Sequence, residues 1–220
     1  METTYHPNWQ KNRVSFILSK YGNTFFEGKR VLELGSFNGY IGSRFGELGA
    51  DVTSVEGRAD NYYSIKTNCP NIRRVILADL DIADWAFGPY DIIINFGVFY
   101  HLKDHHLQHL TNCLNNCRLL FFETVIYDSF AKEICLIDED SSGIDQGLSK
   151  VAGVPSTKYV ESIFEDNGRA FLKVCSAELN GDGHTYDWYD SNSKRSPLRS
   201  GCRRLWLVRS KDSGSFVNGD

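Results

Sequence analysis

VLELGSFNGYIG, residues 31–42, decides the reading of this chain. An apolar strand, VLEL, runs into Gly35, a second glycine follows at Gly39, and YIGSRFGELG continues with helical spacing. Glycine lets the backbone turn sharply and approach a ligand with no Cβ in the way. In an open α/β sheet this turn lies at the carboxyl end of the first strand, where such folds hold their ligands. A strand followed by two glycines is common, so the motif gains its weight from its surroundings.

Outward from it, apolar runs alternate with helix-like stretches. Residues 8–21 place Trp9, Val14, Ile17, Leu18 and Tyr21 near helical spacing and predict a leading amphipathic helix. Strands are predicted over 30–35, 51–57, 73–79, 90–97 and 118–124, with helices over 39–49, 60–69 and 104–117 between them. A capped helix over 156–168, closed by Gly168, precedes strands over 170–178 and 202–210. Short β-rich runs separated by helices imply an α/β fold: a Rossmann-like sheet of seven mainly parallel strands with helices on both faces. The last two strands, with no predicted helix between them, are expected as an antiparallel edge pair. One domain over 1–211 is expected, with residues 125–155 as a substrate lid, a length more typical of functional loops than of connectors. Residues 212–220 read as a frayed tail.

Composition bounds the partners. The 220 residues are 41% hydrophobic and 24% charged, enough for one well-buried domain. No run approaches the roughly eighteen apolar residues of a membrane span, and METTYHPNWQ lacks a signal-peptide pattern, so a cytoplasmic protein is expected. The net charge of −4 argues against tight binding to a nucleic-acid backbone. The six cysteines form no CxxC pair; Cys113 and Cys117 would share a helix face, but no second pair stands at zinc spacing, so free thiols are expected.

A dinucleotide site requires GxGxxG, whose middle glycine admits a pyrophosphate; here Phe37 stands two after Gly35 and would crowd it. A ligand with a sulfonium and an ammonium but no phosphate, such as S-adenosylmethionine, calls instead for a carboxylate, and Glu33 on the strand supplies one. Glu56 ends the second strand, where a carboxylate can accept both ribose hydroxyls. Asp79 ends the third, placed for an adenine amine with Leu80 beside the ring; Asp81 competes for that role. Each is an ordinary loop acid by itself. Their recurrence at successive strand ends is what carries the reading.

VLELGSFNGYIG, SVEG, ILADLD and YDIIINFGVFYHL (90–102), with the Asp79-to-Asp91 interval, resemble the successive motifs of the class I S-adenosylmethionine-dependent methyltransferases, of the type 11, 12 and 23 kind. The resemblance spans about residues 28–125. It implies S-adenosyl-L-methionine as cofactor, with contacts at Glu33, Gly35, Ser36, Gly39, Glu56, Asp79, Leu80 and Phe96. Phe37 departs from it, since many members carry glycine there. The stretch 137–164, with HTYDWYD and CRRLW, is similar to methyltransferases of glycan assembly and implies a sugar hydroxyl as acceptor, with deoxyhexoses among the candidates.

His101, just past the fourth strand, is the first candidate for general base, with Tyr100 shaping the pocket; His184 is the second. His105, His106 and His109 are expected to leave at least two rings in solvent and receive no role. Glu123 and Asp128 bracket the end of the fifth strand, where they could bind an acceptor hydroxyl or, with Asp138, Glu139 or Asp140, a divalent cation, although the spacing supports no metal motif. Lys194, Arg195, Arg199, Arg203 and Arg204 would hold an acceptor phosphate or form a cationic surface. The function expected is O-methylation of a small-molecule or glycan acceptor. A tRNA-modifying enzyme, which GVFYHL also resembles, and a non-enzymatic cofactor-binding partner protein are the alternatives.

Overall fold

The computed structural model describes residues 6–82, 85 and 87–210. The tail over 212–220 and the Arg199 side chain lie outside what is described. In chain order the elements are α1 (Pro7–Tyr21), β1 (Arg30–Leu34), α2 (Tyr40–Glu47), β2 (Asp51–Glu56), α3 (Ala59–Asn68), β3 (Arg74–Leu77) and β4 (Tyr90–Phe96). They continue as α4 (His106–Asn115), β5 (Cys117–Val125), β6 (Ile134–Asp138), β7 (Val151–Pro155), α5 (Thr157–Asp166), β8 (Arg169–Val174), α6 (Pro197–Ser200) and β9 (Arg203–Ser210).

Seven strands form one sheet in the order β3-β2-β1-β4-β5-β9-β8. The first five run parallel, and β9 pairs antiparallel with both β5 and β8. The expected antiparallel pair is therefore present, but β8 alone is the edge and β9 the single reversed strand. The sequence reading lacked the detail that β9 inserts beside β5.

Alternate residues of the central strands feed opposite faces, as the two-residue period of a strand requires. Leu32, Leu34 and Ile93 pack with Leu110 and Cys113 of α4 and Val160 and Phe164 of α5. Val31, Ile92 and Ile94 pack with Val14 and Ile17 of α1, Phe45 of α2 and Ile65 of α3. A strand apolar on both sides must be covered on both sides, which is why β1 and β4 are mostly apolar, with Val31, Leu32 and Leu34 in β1 and Ile92, Ile93, Ile94 and Phe96 in β4. At the start of α5 the Ser156 hydroxyl accepts from the Tyr159 amide at 3.1 Å, a cap worth about 1 kcal/mol.

The stretch over 125–155 is not a bare loop. It contains the β6–β7 hairpin, whose antiparallel ladder runs from Ile134–Pro155 to Asp138–Val151. The helix predicted to reach residue 117 stops at Asn115, so Cys113 lies on α4 while Cys117 begins β5. All six cysteines are free. Among the described residues no helix is long and apolar enough to cross a membrane.

Candidate functional site

The order β3-β2-β1-β4-β5 reverses direction between β1 and β4, and the crevice at such a switch is where open α/β sheets bind ligands. Gly35 leaves β1 there with φ +66°, and a Cβ on it would lie 2.2 Å from Val98 Cγ2. Two cavities open at this point, about 260 and 90 Å³, and both are bounded by Gly35, Phe37, Gly97, His101 and Asp145.

The larger cavity runs along the ends of β2 and β3. Glu56, Asp79 and Leu80 line it. Backbone N–H groups of Phe37 and Arg58 donate to the two Glu56 oxygens at 2.8 and 2.9 Å, so the carboxylate is fixed on the cavity wall. Burial pushes its pKa up, and these hydrogen bonds hold it down in part. Phe37 adopts φ +52°, the left-handed conformation usually left to glycine, and this turn aims its N–H at Glu56. Asp79 and Asp81 separate clearly. Asp81 accepts the amides of Lys103, at 2.8 Å, and His105, at 3.0 Å, and ties down the loop before α4. Asp79 stays exposed on the cavity wall and accepts the Asp81 amide at 2.9 Å.

Glu33, Ser36 and Phe96 line the smaller cavity, with Trp9, Tyr100, His184 and Arg203. The register pairs Glu33 with Ser54, whose hydroxyl donates to Glu33 Oε2 at 2.7 Å, while the Gly42 amide donates to Oε1 at 3.1 Å. Burial still dominates and pushes the Glu33 carboxyl up to about 7. A cation brought beside it would favour the ionised form. The two cavities thus offer one carboxylate held by backbone amides, one exposed carboxylate and one buried carboxylate, a set that could meet a diol, an amine and a cation. These are the groups that S-adenosylmethionine presents.

No protein-family model matches the chain. Among curated proteins it is 29% identical over 165 residues to the tRNA U34 carboxymethyltransferase of Pseudomonas putida strain GB-1, covering 71% of this chain and 49% of that protein. The chain spans about half the length of the curated relatives it matches. Among solved structures it is similar to the N-terminal domain of EvdMO1 in the presence of S-adenosylhomocysteine and D-fucose, with TM-score 0.66, 16% identity, and coverage of 94% of this chain and 85% of that one. It is also similar to magnesium protoporphyrin IX methyltransferase of Synechocystis PCC 6803 with bound S-adenosylhomocysteine, with TM-score 0.59, 14% identity, and coverage of 91% and 82%. The fold is that of the class I S-adenosylmethionine-dependent methyltransferases.

Within this methyltransferase fold several expected residues sit elsewhere than at the cavities. Gly39 lines neither of these two cavities; it precedes α2 at φ +74°, and a Cβ there would meet Cys69 Sγ at 2.7 Å, so it serves helix packing. Glu123 is fully buried behind the smaller cavity and is already occupied: Arg203 Nη1 at 3.1 Å, the Tyr186 hydroxyl at 2.8 Å and Arg13 Nη2 at 3.6 Å all converge on Oε1. Asp128 accepts the hydroxyls of Ser191 and Ser193 and three backbone amides, which holds its carboxyl well below the usual range; it organises the loop before α6. Among the described residues no three His, Cys, Asp or Glu side chains converge as a metal site.

His184 lines the smaller cavity, but burial, with Arg203 and Arg13 nearby, pushes its ring down to about 2. A ring held so low is a weak proton acceptor at neutral pH. The expectation of solvent-facing histidines fails. His106 and His109 are three apart, hence on one face of α4, and that face packs on the sheet. His106 meets the Gly153 carbonyl at 2.9 Å and His109 meets Asn95 and Trp85. The C-terminal arginines are not one cationic surface either. Arg203 and Arg204 are buried, Arg204 stacking on Trp188 at 3.8 Å, whereas Arg195 reaches Asp128.

Sequence reasoning missed the residues that come from afar. Arg13 of α1 is wholly buried, stacked on Trp9 at 4.1 Å and Tyr186 at 4.7 Å, and burial pulls its pKa down to about 9. Glu139, a candidate metal ligand by sequence, meets His101 instead, Oε1 lying 2.5 Å from Nδ1. Arg58 donates to the carbonyls of Ser141, Gln146 and Gly147 and clamps the β6–β7 loop over the larger cavity. An arginine inside the apolar stripe of a helix was the one signal in the sequence that pointed to Arg13.

Proposed function

We propose that the protein is an S-adenosylmethionine-dependent O-methyltransferase acting on a hydroxyl of a small polyol, a sugar in the first place. The observation that carries this reading is that the two cavities meet at the topological switch with His101 on the wall of both. Glu56 and Asp79 would hold the nucleoside, Glu33 the ammonium and Gly35 the close passage between them. The cofactor supplies an electrophilic methyl group. A hydroxyl is a poor nucleophile at neutral pH, and His101 would accept its proton as the new bond forms, then release it to solvent. Trp9 and Tyr100 on the smaller cavity give a sugar's apolar face rings to pack on. The likeness to EvdMO1, whose domain was crystallised in the presence of D-fucose, supports a sugar of that kind.

A second reading is favoured by one observation. Arg13 and Arg203 share a single carboxylate, Glu123, and Arg13 Nε, Arg13 Nη2 and Arg203 Nε have no hydrogen-bond partner. Positive charge in excess beside the smaller cavity suits a transferred group that bears a carboxylate, as a carboxymethyl does, and the curated relatives are named for that transfer to tRNA. The net charge of −4 counts against RNA without deciding the matter.

The test has two stages. S-adenosylhomocysteine is expected to raise the melting temperature, because a ligand that binds only the native state stabilises it; NAD is expected not to. A shift with NAD alone would end the cofactor assignment. Mass spectrometry of products from sugars, nucleotide-sugars and tRNA then separates the acceptors.

A further inference from the structure

The reading of His101 as base leaves a question of tautomer. A neutral imidazole carries one proton, and only the ring nitrogen without it can accept another. Two groups compete for Nδ1. Glu139 Oε1 lies 2.5 Å away and the Gly147 amide nitrogen 3.2 Å away. The first contact requires a proton on Nδ1 if Glu139 is ionised; the second requires Nδ1 bare. The shorter, charge-assisted contact wins. Glu139 is built for it: its side chain is 1% exposed, its Oε2 has no partner, and its backbone amide is bonded to the Lys150 carbonyl at the close of the β6–β7 ladder. Opposite, Gly147 packs bare backbone on the pair, since a Cβ there would lie 2.6 Å from Glu139 Oε2 and 3.0 Å from His101 Cβ.

We propose that Glu139 is the positioning residue of His101: its carboxylate holds the proton on Nδ1 and leaves Nε2 as the ring's acceptor. Glu139 belongs to the hairpin that Arg58 clamps over the larger cavity, so the base is complete only while that hairpin is docked. This rests on His101 being the base, but its test does not need an acceptor.

The experiment is ¹⁵N–¹H correlation of imidazole signals in ¹⁵N-histidine-labelled protein with S-adenosylhomocysteine, the His101 signal being the one lost in His101→Gln. In the wild type the Nδ1-protonated tautomer is expected. In Glu139→Gln the side-chain amide can donate to Nδ1, and in Glu139→Ala the Gly147 amide can; both are expected to give the Nε2-protonated form. With an acceptor in hand, Glu139→Gln is expected to lower kcat by about 100- to 10,000-fold, as for other wrong-tautomer bases, with KM unchanged and partial rescue in Glu139→Asp. An Nε2-protonated His101 in the wild type, or a tautomer indifferent to both substitutions, overturns the proposal whether or not the variants fold well. A tautomer that switches in a protein that methylates nothing would uphold the role of Glu139 and defeat the methyltransferase reading instead.

Discussion

Around the larger cavity, Gly35, Glu56 and Asp79 each lie within a residue or two of the end of the strand that carries them. Around the smaller one, Trp9 comes from α1, His184 from the loop before α6, and Arg203 from β9. These residues of the larger cavity are thus placed by local geometry repeated along one sheet edge. Those of the smaller cavity are placed by packing, and they carry the cost: two buried guanidiniums against one carboxylate, and a histidine whose ring is kept neutral. A site of the first kind tolerates change around it; a site of the second kind is only as stable as its supports.

The largest effect expected is on turnover. His101→Ala should lower kcat by about 100- to 10,000-fold, the span of a lost general base, with S-adenosylhomocysteine affinity held within about threefold. Single-turnover kinetics and calorimetric titration check the two halves separately. An equal loss of cofactor affinity would mean that the two cavities are one functional unit. Glu123→Ala should next cost about 3–5 kcal/mol of stability in urea unfolding, because it strands Arg13 and Arg203 without their shared anion. A loss under 1 kcal/mol would show that water reaches those guanidiniums.

Glu56→Ala should weaken S-adenosylhomocysteine binding by about ten- to a hundredfold, through loss of charge-assisted hydrogen bonds, with less effect on folding than Glu123→Ala. An unchanged dissociation constant would take Glu56 away from the ribose. The smallest effect concerns Glu33 and pH. Its folded-state pKa of about 7 lies above the ordinary 4.5, so between these values the native state holds a proton that the unfolded chain has released. Its contribution to stability is therefore complete below about pH 4.5 and falls as pH rises through 7. Without ligand, Glu33→Gln should be more stable than the wild type at pH 8 by about 1–3 kcal/mol and lose that advantage near pH 4. Thermal melts across pH check it; parallel curves would show that Glu33 ionises freely in the fold.

The alternation of VLEL, DVTSVE and YDIIINF with helical stretches sufficed to fix the layered sheet, because strands buried on both faces are rich in apolar residues and the helical stretches between them supply the cover. The places of Glu33, Glu56 and Asp79 were legible for the same reason: a residue near the end of a parallel strand has its position at the sheet edge set by the strand itself. Which of Asp79 and Asp81 takes the amides before α4 was not, since that depends on how the loop packs. Nor was the burial of His106 and His109, which required knowing the face that α4 turns to the sheet. Arg13 stands far from Glu123 in the chain, and Glu139 far from His101, and no periodicity joins them. Contacts of that separation are decided by how β9 inserts beside β5 and how the hairpin docks, which only the packing of the whole fold determines.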